Sequence, residues 1–303
     1  MDYPVPFMIG SEWDGKKPAQ EIQWHSGSFP MFKTARPRSS LHSAIIILDV
    51  IYHATVRSVR QAHGNAVIAL VLNIMTVIIM VLAFYLMFTV LGIRGAKLRG
   101  DFLLFMMSGI FLYLTHIKGM GAVLGADGPS SPMMQHAPMN TIVAIASSAL
   151  GALYIQVLSM FVILFVYHVG FTPITIYQPI AAFGMVLLAW FTGVAVGLVL
   201  LAIKPWLPTF VSIFATVYQR ANMIASGKMF VVNTLPPFMY NMFSWNPLFH
   251  NIDQARGFVF INYFPHKTSL EYPIYVGIVL LVVGLMGEFY TRQYASRSWD
   301  ARR

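Results

Sequence analysis

Long apolar blocks, each close to the roughly 17 to 25 residues that a helix needs to cross a bilayer, alternate along this chain with short polar or Pro- and Gly-containing stretches. Blocks at about 66–91, 102–118, 142–169, 179–203, 206–232 and 272–290 predict six transmembrane helices. Ahead of them, Leu41, Ile45, Leu48, Tyr52, Val56 and Val59 recur at helical spacing, while His42, Asp49, His53, Arg57 and Arg60 gather on the opposite side. That pattern predicts an amphipathic helix over 41–60, either lying in the membrane interface or forming a slanted start to the first span.

The links divide into tight turns and longer polar segments. Gly170–Gln178 and the Lys204, Pro205, Pro208 turn are short, whereas Gly119–Pro138 is Gly- and Pro-rich and too polar to lie in lipid without a protein or water lining. Residues 233–271 are rich in aromatics and prolines but not apolar enough to span. Two short Pro-broken helices dipping into the outer interface fit this segment, with Tyr240, Trp245 and Tyr263 at headgroup level; an ordinary external loop is the alternative. The expected fold is therefore all-α integral membrane, with an N-terminal interfacial helix and a re-entrant external hairpin before the last span. Three regions follow: a flexible cytoplasmic extension over 1–40, a membrane domain over 41–295 and a basic cytoplasmic tail over 296–303.

Composition agrees with this. Hydrophobic residues make up 57% of the 303-residue chain and charged ones only 10%, against roughly 25% charged in soluble domains, so a water-soluble surface is excluded. Without cysteine there are no disulfides or thiolate metal sites. The net charge of +9 lies beside the apolar blocks and forms no clustered stripe of the kind nucleic acid requires, so no nucleic-acid partner is expected. Glu12, Asp14, Lys16, Lys17 and Glu21 precede any apolar run, so residues 1–40 do not read as a signal peptide. An even number of spans places both termini on one side, and the basic stretches 33–60 and 292–303 assign that side to the cytoplasm. Arg94, Lys97 and Arg99 would then be external, either meeting an anionic ligand or lipid surface or being outvoted by the terminal charge.

Residues able to carry chemistry are few. Gly15-Lys16-Lys17 and Gly227-Lys228-Met229 lack the upstream glycine and the Ser or Thr of a phosphate-gripping loop, so no ATP hydrolysis is expected of this chain. The nine histidines, such as His42 and His53 or His250 and His266, lack metal-ligand spacing, and no bound metal or cofactor is expected. Carboxylates are missing from the central parts of the apolar blocks, Glu288 lying near the end of the last, which argues against proton-coupled transport and intramembrane acid catalysis. Arg220 is the exception within a block. A guanidinium near the bilayer centre costs roughly 2.5 to 3.5 kcal/mol, which predicts that it faces water or pairs with groups such as Gln219 and Asn222, unless the span is shifted toward an interface.

The series Arg220, Ser226-Gly227 and Pro236, followed by Trp245-Asn246-Pro247-Leu248-Phe249-His250-Asn251-Ile252-Asp253-Gln254-Ala255-Arg256, resembles the ABC-2 type permeases, among them the capsule-polysaccharide and O-antigen exporters. More loosely, the resemblance extends over about 41–295. The family usually carries Glu where Asp253 stands, and its basic motif ahead of the first span is only partly echoed by Arg57, Arg60, His63 and Gly64.

The resemblance implies a permease homodimer with two copies of a separate ATPase subunit that holds ATP and magnesium, exporting a lipid-linked surface polysaccharide across a bacterial inner membrane. Membrane lipids and periplasmic or outer-membrane export proteins would be further partners. Carried over, residues 41–64 and 119–138, with Arg57, Arg60, His63 and Lys118, are candidates for ATPase coupling. Residues 236–258, with Pro236, Pro237, Trp245, Asn246, Pro247, His250, Asp253 and Arg256, form the expected external gate. For the glycan path, Tyr218, Gln219, Arg220, Asn222 and Trp190, with Tyr154 and Tyr167, supply aromatic faces and hydrogen-bonding groups if they face the dimer seam. Two rivals stand beside this reading: an ABC-2 permease for a drug or small lipid, and a membrane-embedded enzyme of glycan or lipid modification.

Overall fold

The structure is a computed structural model that describes residues 40–61, 66–90, 92, 101–126 and 141–300, excepting the side chains at 40–46, 59–61, 66 and 295–300. The 1–40 extension up to residue 39, His63, the Arg94, Lys97 and Arg99 loop, residues 127–138 of the coupling segment and the last three residues lie outside the described part.

Among the described residues the chain is all helical: α1 (Ser40–Gln61), α2 (Ala66–Val90), α3 (Phe102–Leu124), α4 (Thr141–Gly170), α5 (Pro179–Ile203), α6 (Pro208–Ala225), a 3-10 turn (Val232–Thr234), α7 (Pro237–Phe243), α8 (Pro247–Val259) and α9 (Glu271–Asp300). Local chemistry sets the boundaries. Pro occupies the first turn of α5, α6, α7 and α8, where its missing N–H costs nothing, and the Asp101 side chain caps α3 by accepting from the Leu103 amide at 3.0 Å. Gly227, at φ 76°, turns the chain away just after α6.

Five helices are long and apolar enough to cross a membrane: Val67–Val90, Phe102–Leu124, Thr141–Gly170, Pro179–Ile203 and Glu271–Tyr294. They coincide with five of the six expected blocks, and the second continues past Lys118 to Leu124. The block at 206–232 is different. Its helix, α6, has 18 residues, about 27 Å at 1.5 Å per residue, and Gln219, Arg220 and Asn222 dilute its apolar character. It does not reach the length and hydropathy of the other five.

α3 is the most enclosed span and, with α5, forms the centre of the bundle. The two helices meet backbone to backbone: a Cβ at Gly193 would lie 2.2 Å from the His116 carbonyl oxygen, and one at Gly197 would lie 2.7 Å from that of Met120. α9 packs on another side of α5, α4 on α3, and α2 on α3 and α4, where buried Asn73 donates to Gln156 and, at 2.8 Å, to Ser159. The Trp190 indole N–H donates to the Ala149 carbonyl at 2.9 Å and joins α5 to α4.

α1 packs along α4, and Ile51, Ala54, Thr55 and Ser58 are its half-buried side chains. Its expected apolar face is not the packed one, for Leu48, Tyr52 and Val56 remain exposed beside exposed Asp49, His53 and Arg57.

Chain direction and cross-links define two ends. At the upper end α2 and α4 finish and α3, α5 and α9 begin, with α8 inserted among α3, α5 and α9. At the lower end the Lys204 ammonium donates to the Leu124 carbonyl at 2.9 Å, and the Trp206 indole donates to Thr291 at 3.2 Å.

Candidate functional site

The motif around Asn246 forms a buried cluster at the upper end. Asn246 caps α8 by accepting from the Leu248 amide at 3.0 Å, and its own amide donates to the Asn222 side-chain oxygen at 2.8 Å and the Ala225 carbonyl at 3.2 Å. One residue thus starts α8 and fastens it to α6. His250 donates from Nε2 to the Ser244 carbonyl at 2.7 Å and accepts at Nδ1 from the Ser269 amide at 3.2 Å, which defines a neutral ring. Asn251 donates to the Met185 carbonyl of α5 at 3.0 Å. Asp253, fully buried, accepts from the Tyr263 hydroxyl and, at 2.7 Å, from Thr268. Its burial pushes the carboxyl pKa up; those two hydrogen bonds and the Arg256 charge only partly offset that push.

Arg256 is the most demanding group in the cluster. Its guanidinium is fully buried and donates to three carbonyls, Gly227 at 2.9 Å, Phe230 at 2.7 Å and Lys228 at 2.7 Å, while stacking 3.9 Å from the centre of the Phe105 ring. Arg256 therefore shapes the turn after α6: it supplies donors to all three carbonyls, of which Gly227 has one other, the Phe230 amide at 3.4 Å. Lys228, buried in the same turn, places Nζ 3.5 Å over the Tyr113 ring and 5.0 Å from that of Phe84, a cation–π seat with no carboxylate. A Cβ at Gly109 would come 2.9 Å from the Lys228 Cα, so α3 admits this turn only because it carries glycine there.

Of the expected gate residues, Asn246, Pro247, His250, Asp253 and Arg256 come together in the buried cluster, whereas Pro236, Pro237 and Trp245 stand exposed around α7. Beside the cluster is a cavity of about 550 Å³ lined by Asp101, Leu104, Thr172, Tyr177, Val259 and Phe260 among others. Burial would raise the Asp101 carboxyl pKa, but hydrogen bonds from Tyr167, Thr172 and the Leu103 and Leu104 amides hold it below the usual value.

α6 presents the opposite situation. It lies in the groove between α3 and α5 with only Val211, Ala215 and Asn222 buried, Val211 and Ala215 packing near Met120 and Leu200. Polar contacts hold its register: the Tyr218 hydroxyl meets His116 Nε2 at 2.9 Å, and Tyr113 donates to the Gln219 carbonyl at 3.0 Å. His116 is fully buried, with Nδ1 at 3.1 Å from Thr192 and 3.2 Å from the Ala189 carbonyl, so one imidazole links α3, α5 and α6.

The rest of α6 is largely uncovered and divides into two arcs at about 100° per residue. Thr209, Ser212, Thr216, Gln219 and Arg220 share one arc; Phe210, Ile213, Phe214, Val217 and Ile224 share the next. All ten are exposed except half-buried Gln219. Arg220 has no hydrogen-bond or ion-pair partner among the described residues.

The expected path residues therefore separate. Arg220 and Gln219 edge the polar arc, Tyr218 and Asn222 are occupied in holding α6 to the bundle, and Trp190 faces α4 on another side of α5. Of the coupling candidates, Arg57 is exposed on α1 and Lys118 is exposed on α3, with the Arg60 side chain outside the described part. The sequence gives no sign of the role of His116, which looks like an isolated polar residue until its packing is seen, and offers Lys228 only as part of a phosphate-loop pattern that fails. The hydroxyl stripe was also passed over, although Thr209, Ser212 and Thr216 already share one helical face by their spacing.

Among the described residues no three His, Asp or Glu side chains gather in a way that would hold a metal ion. Compared with known proteins, the chain matches no family profile and no curated protein.

Proposed function

We propose that this chain is the permease half of an ATP-driven exporter, moving a lipid-linked surface polysaccharide across a bacterial inner membrane as a homodimer with two copies of a separate ATPase subunit. The observation that carries the reading is α6, a helix packed against helices long and apolar enough to span, which leaves exposed a polar stripe ending in an arginine unpaired among the described residues. Lipid is a poor solvent for such a stripe and a water-filled path is a good one. In this reading α6 crosses or nearly crosses the membrane as a sixth segment, and the α7–α8 pair forms a re-entrant outer hairpin. Hydroxyl and amide groups along the stripe would exchange hydrogen bonds with successive sugars without holding any one tightly. The resemblance of the Arg220 to Arg256 series to ABC-2 permeases supports the same assignment.

The test is co-purification. Expressed with its genomic neighbours and extracted in mild detergent, the protein is expected to bring down a nucleotide-binding subunit and to stimulate its ATP turnover. Absence of any such subunit, or nucleotide hydrolysis by the purified chain alone, would remove the assignment.

A further inference from the structure

The cavity beside the α8 cluster joins three parts of the chain that are distant in sequence: the start of α3, the link 171–178 between α4 and α5, and the end of α8. Its volume of about 550 Å³ falls within the roughly 300 to 1,000 Å³ of small-ligand sites. Its walls are held in place. The Tyr177 and Gln178 amides donate to the Val259 and Phe258 carbonyls at 3.2 and 2.8 Å, and the Ile174 amide donates to His168 Nδ1 at 2.9 Å, so the link is strapped to α8 at one end and to α4 at the other. Leu104, Ile174, Ile176, Val259 and Phe260 make the lining largely apolar.

The charge in this lining is Asp101. Its Oδ1 accepts from the Leu103 amide at 3.0 Å, and its Oδ2 accepts from the Thr172 hydroxyl at 2.8 Å and from the Tyr167 hydroxyl. These donors are all neutral, so they keep the carboxyl ionised without cancelling its charge, which the N-terminus of α3 offsets only in part. Other enclosed carboxylates differ. Asp253 has the Arg256 charge beside it and Glu288 has that of Arg292, whereas no Lys or Arg lines this cavity among the described residues.

Depth matters as well. Asp101 stands one residue before the apolar helix Phe102–Leu124, and Thr172 to Tyr177 follow the end of Thr141–Gly170. The cavity therefore lies at the level of lipid headgroups, within reach of both the membrane surface and the adjoining solution.

We infer that this cavity binds an organic ammonium group carried on an apolar body, with the ammonium against the Asp101 carboxylate and the body against Leu104, Ile174, Val259 and Phe260. A bare divalent cation needs several oxygen ligands, and among the described residues no three His, Asp or Glu side chains gather to supply them. A sugar would set hydroxyls against Ile174, Ile176 and Val259, where they find no partner. An ammonium uses the carboxylate and can lie over the Tyr177 or Phe260 ring, while its hydrocarbon part matches the aliphatic walls. Neither the α6 stripe nor an ATPase subunit enters here, so this site stands or falls apart from the export reading.

The chain has no cysteine, so Thr175→Cys gives a single thiol on the cavity wall. Full-length Thr175→Cys protein in amine-free phosphatidylglycerol nanodiscs would be labelled with N-ethylmaleimide in the presence of hexylammonium or hexanol. Asn241→Cys, exposed on α7, serves as the reference for labelling outside the cavity. Relative to that reference, hexylammonium is expected to slow labelling about five-fold and hexanol less than about two-fold. Adding Asp101→Asn, which keeps an acceptor for the Leu103 amide, should bring the two compounds level. Exchanging part of the lipid for phosphatidylethanolamine separates two sources of the ammonium. Slowing without added hexylammonium supports the site with a lipid headgroup as its ligand; slowing by hexylammonium alone supports it with a soluble one. Equal slowing by hexylammonium and hexanol reduces the cavity to an apolar space and overturns the inference. Protection by maltose in place of hexylammonium marks a sugar site and also overturns it, as does labelling that no compound slows. Should Asp101→Asn fail to fold, hexylammonium against hexanol on Thr175→Cys alone still decides.

Discussion

α8 and α6 both carry polar residues in a largely apolar chain, and they treat them in opposite ways. On α8 nearly every polar side chain is buried and engaged: His250 with two backbone groups, Asp253 with two hydroxyls, Arg256 with three carbonyls. On α6 the inner face is pinned by Tyr218 and Asn222, while Arg220 and the hydroxyl stripe are left open. A buried polar group without a partner is expensive, and in this cluster only Asn251 Oδ1, Arg256 Nε and the neighbouring Ser226 hydroxyl lack one among the described residues, so the cluster reports architecture. The polar stripe of α6 is exposed and, apart from the Thr216 hydroxyl donating to the Ser212 carbonyl at 3.0 Å, fastens nothing among the described residues. The motif most recognisable in the sequence is thus chiefly a fastening for the turn after α6, and the exposed polar side chains belong to the plainer helix before it.

Substitutions can break this comparison. The largest effect is expected at Arg256, where Arg256→Ala takes the guanidinium donors from three carbonyls and leaves a gap beside Phe105. The loss should exceed about 4 kcal/mol, the range that marks collapse of a buried network, and be read as loss of monodisperse protein in size-exclusion chromatography. Normal yield would show that α8 is not the structural member of the pair.

A sharper contrast comes two residues apart on α6. Asn222→Leu leaves the buried Asn246 amide without its side-chain acceptor and should cost about 1 to 3 kcal/mol in thermal unfolding. Arg220→Leu should stay within about 0.5 kcal/mol of wild type and lower transport instead. Equal stability losses at the two positions would mean that Arg220 is a structural residue as well.

The smallest effect is expected from pH. Burial holds the His250 pKa below its ordinary 6.5, against the opposing pull of the Ser244 carbonyl and the Asp253 charge, and the Ser269 amide donating to Nδ1 also favours the neutral ring. Its contribution is complete above about pH 6.5 and is lost as pH falls toward the folded value. Asp253, raised by burial, works in the other direction, because its protonation on acidification favours the fold. The difference between wild type and His250→Gln isolates the histidine, and wild type should lose a few degrees more between about pH 7 and about pH 5. Parallel melting curves across that interval would show that His250 does not need to stay neutral.

Sequence alone determined that this chain is helical and built to sit in a membrane, because apolar runs of bilayer length leave the backbone no other way to satisfy its hydrogen bonds. It also set most helix limits through proline and asparagine chemistry, so that the expected 179–203 block and α5 coincide. It marked Arg220 as exceptional as well, since the cost of that charge in lipid follows from its position in an apolar run. Which polar residues face one another was decided only by tertiary structure. Trp190 reads as a neighbour of the path until α5 turns it toward α4, and His116 reads as an isolated polar residue until α3, α5 and α6 close around it. The physical reason is that periodicity fixes the face of a residue on its own helix, whereas the rotation of each helix about its axis is set by close contacts distant in sequence, such as Gly193 on the His116 backbone and Tyr218 on the His116 ring.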